Sequence, residues 1–209
     1  MEKNKHTIKI KVMKKSTRKN YLLLKDLYPS MVIDKNIHEH KNNTYGEMEY
    51  SGIKKLFASV KVIDPKLDTF IDIGSGRGKI CMAMAMYSQI KKIIGIEMIE
   101  ERHNDANKLK KKLDKEYTKK ITFIHNDVLN IDLNIGSKAF IWFSNLCIDQ
   151  ETANTIFLKL QNELPGSILC CSKEPSINIG HLLDSINIEM SWIENSNVKI
   201  YRIKNKNEI

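Results

Sequence analysis

Apolar residues in the middle of the chain recur in short runs and at helical spacings, which predict alternating strands and helices. Apolar positions at roughly helical spacing predict a helix from Glu47 to Val62 that ends before Asp64–Pro65. Five short apolar segments predict strands: TFIDIG, KIIGIE, ITFIHND, KAFIWFSN and SILCCS. Helices are predicted between them, in KICMAMAMYSQI, EERHNDANKLKKKLDKEY and 149–164. The last segment, INIEMSWIENSNVKIYRIK, predicts a hairpin turning at Glu194–Asn197.

Strands that alternate with helices indicate a parallel sheet, because parallel neighbours need crossover connections. The closing hairpin adds one antiparallel strand. The predicted fold class is therefore α/β, with a seven-stranded, mostly parallel sheet and one antiparallel strand. The Asp149 side chain is expected to cap the last helix, which ends at Pro165–Gly166.

Residues 1–43 form a polar, basic stretch with few periodic segments. TIKIKV (7–12) alternates apolar and charged residues and predicts a short exposed strand, and RKNYLLLKDLYPSMVI predicts a short helix ending near Pro29. We interpret this stretch as an N-terminal arm or cap, and residues 44–209 as one domain.

Composition narrows the class of protein. The chain has 209 residues and a net charge of +9, from 34 Lys and Arg against 25 Asp and Glu, which favours polyanionic partners. Long apolar runs and an apolar N-terminal leader are missing, so an intracellular protein without a membrane span is expected. The cysteines, which lack CxxC spacing, are expected to pack as small apolar residues and predict neither a metal site nor disulfides: Cys81, Cys147, Cys170 and Cys171.

The segment DIGSGRGK, from Asp72 to Lys79, places three glycines at every second position after a predicted strand. Glycines let the backbone turn tightly and approach a ligand closely. Dinucleotide-binding turns have the spacing GxGxxG. Here Lys79 takes the place of the third dinucleotide glycine, which argues against a dehydrogenase. An acidic residue two positions before the first glycine, Asp72, also suits a positively charged ligand better than a pyrophosphate.

Three acidic residues mark three successive predicted strands at their carboxyl ends: Asp72, Glu97 and Asp127. Ligands of open α/β sheets bind at this edge. A carboxylate at Glu97 can accept hydrogen bonds from both ribose hydroxyls, and Asp127 can accept one from an adenine amino group, with Asn126 as a weaker candidate. Together these residues predict a site for S-adenosylmethionine.

The order of motifs resembles one family. TYGE (44–47), DIGSG (72–76), GIE, ND and SN follow one another as in the Dot-one-like (disruptor of telomeric silencing) histone lysine methyltransferases. That family has the Rossmann-like class I methyltransferase fold. The resemblance covers roughly residues 43–172. Its Asn-Asn-Phe loop is matched in part: Asn145 fits the second Asn, while Ser144 and Leu146 replace its neighbours.

The resemblance implies S-adenosylmethionine as cofactor and catalytic roles for Asn145 and Tyr45, with Asn145 orienting the incoming amine or the cofactor's methionine end. The implied cofactor contacts are Thr44, Tyr45, Gly46, Glu47, Asp72, Gly74, Ser75, Gly76, Gly78, Lys79, Glu97, Asn126, Asp127 and Asn145. It further implies a histone or nucleosome substrate and a nuclear or nucleoprotein-associated location. The protein is expected to be a monomer. The replacement of an aromatic residue by Leu146 leaves lysine specificity open, so RNA or a translation-associated protein remains an alternative acceptor.

Basic residues cluster in two stretches. The N-terminal stretch is the better candidate for DNA phosphates through Lys9, Lys11, Lys14, Lys15, Arg18 and Lys19. Lys108, Lys111, Lys112 and Lys115 recur at helical spacing and define either a second phosphate-binding face or a solvated helix side. A catalytically silent module that binds nucleic acid would share these charges, but the three acidic residues argue against it.

Overall fold

A computed structural model describes residues 16–29, 46–191 and 193–205. The strands are β1 (Thr69–Ile73), β2 (Lys92–Glu97), β3 (Ile121–His125), β4 (Phe140–Phe143), β5 (Ile168–Cys171), β6 (Gly180–Met190) and β7 (Ile193–Ile203). The helices are α1 (Ser16–Leu27), α2 (Tyr50–Ile63), α3 (Lys79–Tyr87), α4 (Glu100–Lys110), α5 (Lys115–Thr118) and α6 (Gln150–Glu163), with a 3₁₀ turn at Val128–Asn130. The proposed strand at 7–12 lies outside the described residues.

The seven strands form one sheet in the order β3-β2-β1-β4-β5-β7-β6. Strands β1 to β5 are parallel, and β7 runs antiparallel between β5 and β6. The order reverses direction at β1, so the loops after β1 and β4 flank the point where ligands of such sheets bind. The predicted fold class is confirmed.

Two apolar clusters cover the two faces of the sheet. Leu24 of α1, Ile53 of α2 and most of α3 pack on one face, while Ile156 and Phe157 of α6 pack on the other. Strand β1 contributes side chains to both clusters, because alternate side chains of a strand point to opposite faces of the sheet. The Asp149 carboxylate accepts a hydrogen bond from the Thr152 N–H (2.9 Å), which confirms the predicted cap of α6.

Two predicted element boundaries are wrong. The helix predicted through Tyr117 ends at Lys110, and a turn that buries Leu113 leads into the short α5. An unbroken 18-residue helix would be about 27 Å long, whereas a five-residue strand spans about 17 Å. Such a helix would extend past the start of β3, so the helix must end earlier for the chain to enter that strand.

The hairpin turn was also misplaced. It lies between Met190 and Ile193, and Glu194–Asn197 belongs to β7. Glu194, Asn195 and Asn197 are exposed and Ser196 is buried. The Asn197 amide donates a hydrogen bond to the Asn187 side chain of β6 (2.9 Å). The polarity of the three exposed residues therefore reflects their exposed positions on a strand.

Among the described residues, no helix is both long and apolar enough to span a bilayer.

Candidate functional site

The glycine-rich segment forms a tight turn from β1 into α3. Gly74, Gly76 and Gly78 all have positive φ values (76°, 54° and 81°), which L side chains rarely adopt. The N–H groups of Gly74 and Ser75 both donate to the Ile96 carbonyl at 2.9 Å, which fixes the turn against the end of β2. A side chain at Gly74 would meet nothing within 4 Å, so this part of the turn borders open space at the edge of the sheet.

The far end of the turn is closely packed. A Cβ atom at Gly78 would lie 2.4 Å from Cζ of Phe123 in β3. A Cβ at Gly95 would lie 2.6 Å from Cδ1 of the same ring. The Phe123 ring therefore occupies space that two glycines leave free, a contact that the spacing of the motif did not predict.

Asp72 lies in β1 with 1% of its surface exposed, beneath the turn. The Cys81 thiol of α3 donates to its Oδ2 atom at 3.5 Å. Burial raises the pKa of Asp72 to about 7, and the charge of Glu97 adds to the increase while the thiol opposes it. A buried carboxyl held near neutrality gains from a positively charged ligand nearby.

Glu97 ends β2 and is 5% exposed. Its Oε2 atom accepts a hydrogen bond from the Gly76 N–H (2.7 Å), and its Oε1 atom accepts one from the Ile99 N–H (2.9 Å). Glu97 thus orders the glycine-rich turn itself. Each carboxylate oxygen has further capacity to accept a hydrogen bond from a ligand hydroxyl.

Asp127 follows β3, and its Oδ1 atom accepts a hydrogen bond from the Leu129 N–H (2.9 Å), capping the 3₁₀ turn. The Asn126 side chain accepts a hydrogen bond from the Asp127 N–H and is exposed. Both residues lie at the same edge of the sheet as Glu97, because β3 pairs with β2 in parallel. Their predicted contacts with adenine stay predictions.

The structure adds Met98 to this edge. It directly follows Glu97 and is 61% exposed, which is unusual for a methionine. Its carbonyl lies 3.1 Å from Nε2 of His125, whose ring lies 5.4 Å from that of His103. An exposed apolar side chain beside Glu97 offers a surface for a flat ring. The only sequence signal was an apolar residue just after the strand.

Thr44 and Tyr45 lie outside the described residues, and the structure begins again at Gly46. The Glu47 N–H donates to the Ser191 hydroxyl (3.1 Å), and its carbonyl accepts from the Ser191 N–H (2.8 Å). The Glu47 carboxylate lies 3.0 Å from Lys79 Nζ at the start of α3. The TYGE segment therefore reaches the glycine-rich turn through an ion pair, which joins two motifs that are 32 residues apart.

This ion pair is largely shielded from water, since the side chains of Lys79 and Glu47 are 14% and 6% exposed. Replacing Lys79 with Met would take the Lys79 ammonium group away from the buried Glu47 carboxylate. We expect a loss of about 1–3 kcal/mol in the free energy of unfolding. Lys91→Met is the control, because Lys91 pairs with Asp68 (3.2 Å) on an exposed surface and should cost less than about 0.5 kcal/mol. Equal losses in urea unfolding would contradict this difference.

Asn145 follows β4 and is 1% exposed. Its Oδ1 atom accepts a hydrogen bond from the Lys173 N–H (2.7 Å), and its Nδ2 group donates to the Lys173 carbonyl (3.2 Å). The side chain thus joins the loops after β4 and β5. The Asn145 backbone carbonyl accepts one long hydrogen bond from the Ile148 N–H (3.4 Å).

The neighbours of Asn145 differ in exposure. Trp142 and Phe143 are buried core residues. Leu146 is partly exposed, and Cys147 is exposed, so the prediction that Cys147 packs in the core is wrong. The loop after β4 turns this thiol outward, whereas the other cysteines are buried in strand and helix interiors. Within the described ranges, no His, Cys, Asp and Glu cluster is arranged for a metal ion.

The predicted basic residues are only partly described. Lys9, Lys11, Lys14 and Lys15 lie outside the described residues, as does the side chain of Arg18. Lys19 is exposed on α1 and lies 3.8 Å from Asp114. In the second stretch, Lys108 pairs with Asp105 (3.3 Å) and Lys115 lies on the separate helix α5, so the four lysines do not share one helix.

The residues at this edge fit S-adenosylmethionine. The buried carboxyl of Asp72 suits its positive charge, Glu97 can accept its ribose hydroxyls, and the Met98 side chain offers an apolar surface for its adenine. The buried Ser75 hydroxyl lacks a hydrogen-bond partner among the described residues. Open space in front of Gly74 leaves room for the ligand.

Solved structures share this fold. An RNA methyltransferase from Salinibacter ruber in complex with S-adenosyl-L-homocysteine has a TM-score of 0.55 and 16% identity, with 73% of this chain and 93% of that chain covered. The methyltransferase domain of bacterial CtHen1-CN has a TM-score of 0.54 and 12% identity, with 72% and 97% covered. A search of curated protein sequences found no match.

The fold and the site define a class I methyltransferase that uses S-adenosylmethionine. The family model "Histone methylation protein DOT1" matches residues 29–162, which is more than half of the chain. The chain therefore belongs to the DOT1 family of histone methylation proteins, and the resemblance found in the sequence is confirmed.

Proposed function

We propose that this methyltransferase transfers a methyl group to a lysine side chain of a histone or another basic, DNA-associated protein. The observation that carries the proposal is the family match over residues 29–162, which includes the TYGE segment. The contact of Glu47 with Lys79 supports it, because it brings that segment to the glycine-rich turn.

When bound, S-adenosylmethionine supplies a methyl group on a positively charged sulfur, and the transfer is a direct displacement. The protein then contributes position and dehydration. Asp72, Glu97 and Met98 would hold the cofactor, and the Asn145 carbonyl would accept a hydrogen bond from the incoming amine. A lysine must first lose its proton, because only the free amine has a lone pair. An apolar residue such as Leu146 beside that carbonyl would lower the pKa of the amine by desolvation.

An RNA or a translation-associated protein is the second candidate acceptor. Leu146 stands where the resembling family has an aromatic residue that helps to wall the lysine channel, so this chain lacks that ring. The net charge of +9 suits either kind of substrate.

The proposed partner is DNA or nucleosomal DNA, bound by the basic N-terminal stretch in a nuclear or other nucleoprotein setting. Of its residues, Lys19 is described and is 76% exposed, which suits a phosphate contact. Contacts of this kind release counterions, so binding should weaken steeply as salt increases.

The test is transfer of labelled methyl groups from S-adenosylmethionine to nucleosomes, free core histones and total RNA in parallel. We expect label in a histone band, strongest on nucleosomes. Between 50 and 200 mM salt, six phosphate contacts would weaken nucleosome binding by roughly a thousandfold. A variant with Lys9, Lys11, Lys14, Lys15, Arg18 and Lys19 changed to Gln should lose this salt dependence while its methylation of free histones persists. Label in RNA alone would reject the lysine proposal in favour of the alternative.

A further inference from the structure

Helix α1 is packed onto the core and ends beside the cofactor site. Leu24, Leu27 and Tyr28 at its end are each 5% exposed. The Tyr28 N–H donates to the Leu24 carbonyl (2.9 Å), which continues the helical hydrogen bonding by one residue. The family match begins at residue 29, so α1 and Tyr28 precede the part of the chain that the family model describes.

Tyr28 contacts the middle of the glycine-rich turn in two ways. Its hydroxyl donates a hydrogen bond to the Arg77 carbonyl at 2.7 Å and lies 3.3 Å from Sδ of Met82. Its ring centroid lies 5.7 Å from the Arg77 guanidinium, a cation–π arrangement. Nε of Arg77 lies 3.7 Å from Asp105 of α4, so the residue is held on both sides.

The Arg77 carbonyl belongs to the peptide that joins Arg77 to Gly78. Gly76 and Gly78 flank Arg77, and both have positive φ values, so the backbone here has more conformational freedom than any other residue pair would give it. The same peptide carries the Gly78 N–H, which donates to the Ser75 carbonyl at 2.8 Å. A hydrogen bond to the Arg77 carbonyl therefore fixes the orientation of this peptide and, through it, the shape of the turn.

We propose that Tyr28 is a positioning residue that holds the glycine-rich turn in the conformation that binds S-adenosylmethionine. The helix that precedes the family-matched segment is thus part of the cofactor site. This inference depends on the cofactor and is independent of the acceptor, because binding is measured without any substrate. Failure of the histone proposal would leave it intact.

The test uses the full chain with Tyr28→Phe, which removes one oxygen atom and keeps the ring. Calorimetric titration with S-adenosylhomocysteine should give a dissociation constant five- to tenfold higher than that of the wild type. Hydrogen exchange of the Gly78 amide in the cofactor-free protein should become faster by a similar factor. Both measurements are made at a temperature well below the unfolding transition of each variant, so that loss of folding does not enter the comparison.

Tyr117→Phe is the matched control. The Tyr117 hydroxyl accepts a hydrogen bond from the Asn20 amide of α1 (3.1 Å), so this variant loosens the same helix at its other end. It touches no atom of the turn that the proposal invokes, and the dissociation constant should stay within twofold of the wild-type value. If Tyr28→Phe weakens binding no more than Tyr117→Phe does, or leaves exchange of Gly78 unchanged, the proposal is overturned.

Discussion

Asp72→Asn should stabilise the cofactor-free protein at pH 8 and, in the same variant, greatly weaken cofactor binding. Asp72 is fully buried, and its pKa of about 7 lies well above the ordinary value of 3.8. Burial therefore disfavours the ionised form in the fold. Asparagine has nearly the same shape as aspartate but carries no charge. The substitution therefore removes the free-energy cost of burying a charge, and it also removes the carboxylate that would pair with the positive ligand.

The expected pH dependence follows from this difference in pKa. The folded protein holds the proton up to about pH 7, whereas the unfolded chain releases it near the ordinary value of 3.8. Stability contributed by the protonated form is thus lost as pH rises from about 4 to about 7, and the loss is complete above that. A difference of this size corresponds to on the order of 4 kcal/mol in the free energy of unfolding.

Urea unfolding of the wild type and of Asp72→Asn at several pH values measures this directly. The two unfolding free energies should converge near pH 4, and the variant should be the more stable one at pH 8. Equal stability at pH 8 would show that the ionised carboxylate is already compensated in the free protein.

Cofactor binding should change in the opposite sense. Only the ionised Asp72 attracts the positive ligand. As pH rises toward 7, affinity for S-adenosylmethionine should therefore increase by up to about tenfold per pH unit, and above pH 7 it should level off. Comparison with Asp72→Asn between pH 5.5 and 7 removes effects that arise from the ligand's own ionisation. An equal pH dependence in both proteins would mean that Asp72 does not face the cofactor.

Gly78→Ala should destabilise the fold far more than Gly74→Ala. The two glycines have similar φ values (81° and 76°), so the backbone strain of adding a side chain is nearly the same, about 1 kcal/mol. They differ in their surroundings. A methyl group at Gly78 would lie 2.4 Å from the Phe123 ring, whereas one at Gly74 would meet no protein atom within 4 Å.

The Phe123 ring has little room to give way, because the same side of the ring already packs against Gly95, where an added Cβ would lie 2.6 Å from Cδ1. We therefore expect Gly78→Ala to cost an additional 1–3 kcal/mol in unfolding free energy beyond the shared strain. Phe123→Leu in the Gly78→Ala background should recover part of that increment, since the smaller side chain frees the space.

The same pair of variants separates folding from binding. Gly74→Ala should stay folded and yet bind S-adenosylhomocysteine weakly, because its methyl group would occupy the open space where the ligand is expected. Thermal unfolding and calorimetric titration of both variants provide the comparison. Equal stability of Gly78→Ala and Gly74→Ala, or full binding by Gly74→Ala, would contradict this account of the turn.

The sequence alone determined the order of elements and the class of cofactor. Alternating apolar segments predicted every strand of the parallel sheet, and the cap at Asp149 was correctly assigned. The spacing of the glycines and of Asp72 and Glu97 selected S-adenosylmethionine over a dinucleotide. Such features depend on residues that are close together in the sequence or that lie at the ends of helices and strands. The spacing of residues along the chain is therefore enough to predict them.

Only the tertiary structure decided what the site residues contact. The sequence predicts that Asn145 orients the incoming amine or the cofactor's methionine end, and the structure adds that its side chain accepts a hydrogen bond from the N–H of Lys173, 28 residues away. Glu97 bonds to the turn at Gly76, and Tyr28 bonds to Arg77, 49 residues away. The end of α4 was likewise set by the distance that the chain must cover to enter β3. These contacts arise where loops from different strands meet at one edge of the sheet, and a linear pattern carries no information about which loop atoms come within hydrogen-bonding distance.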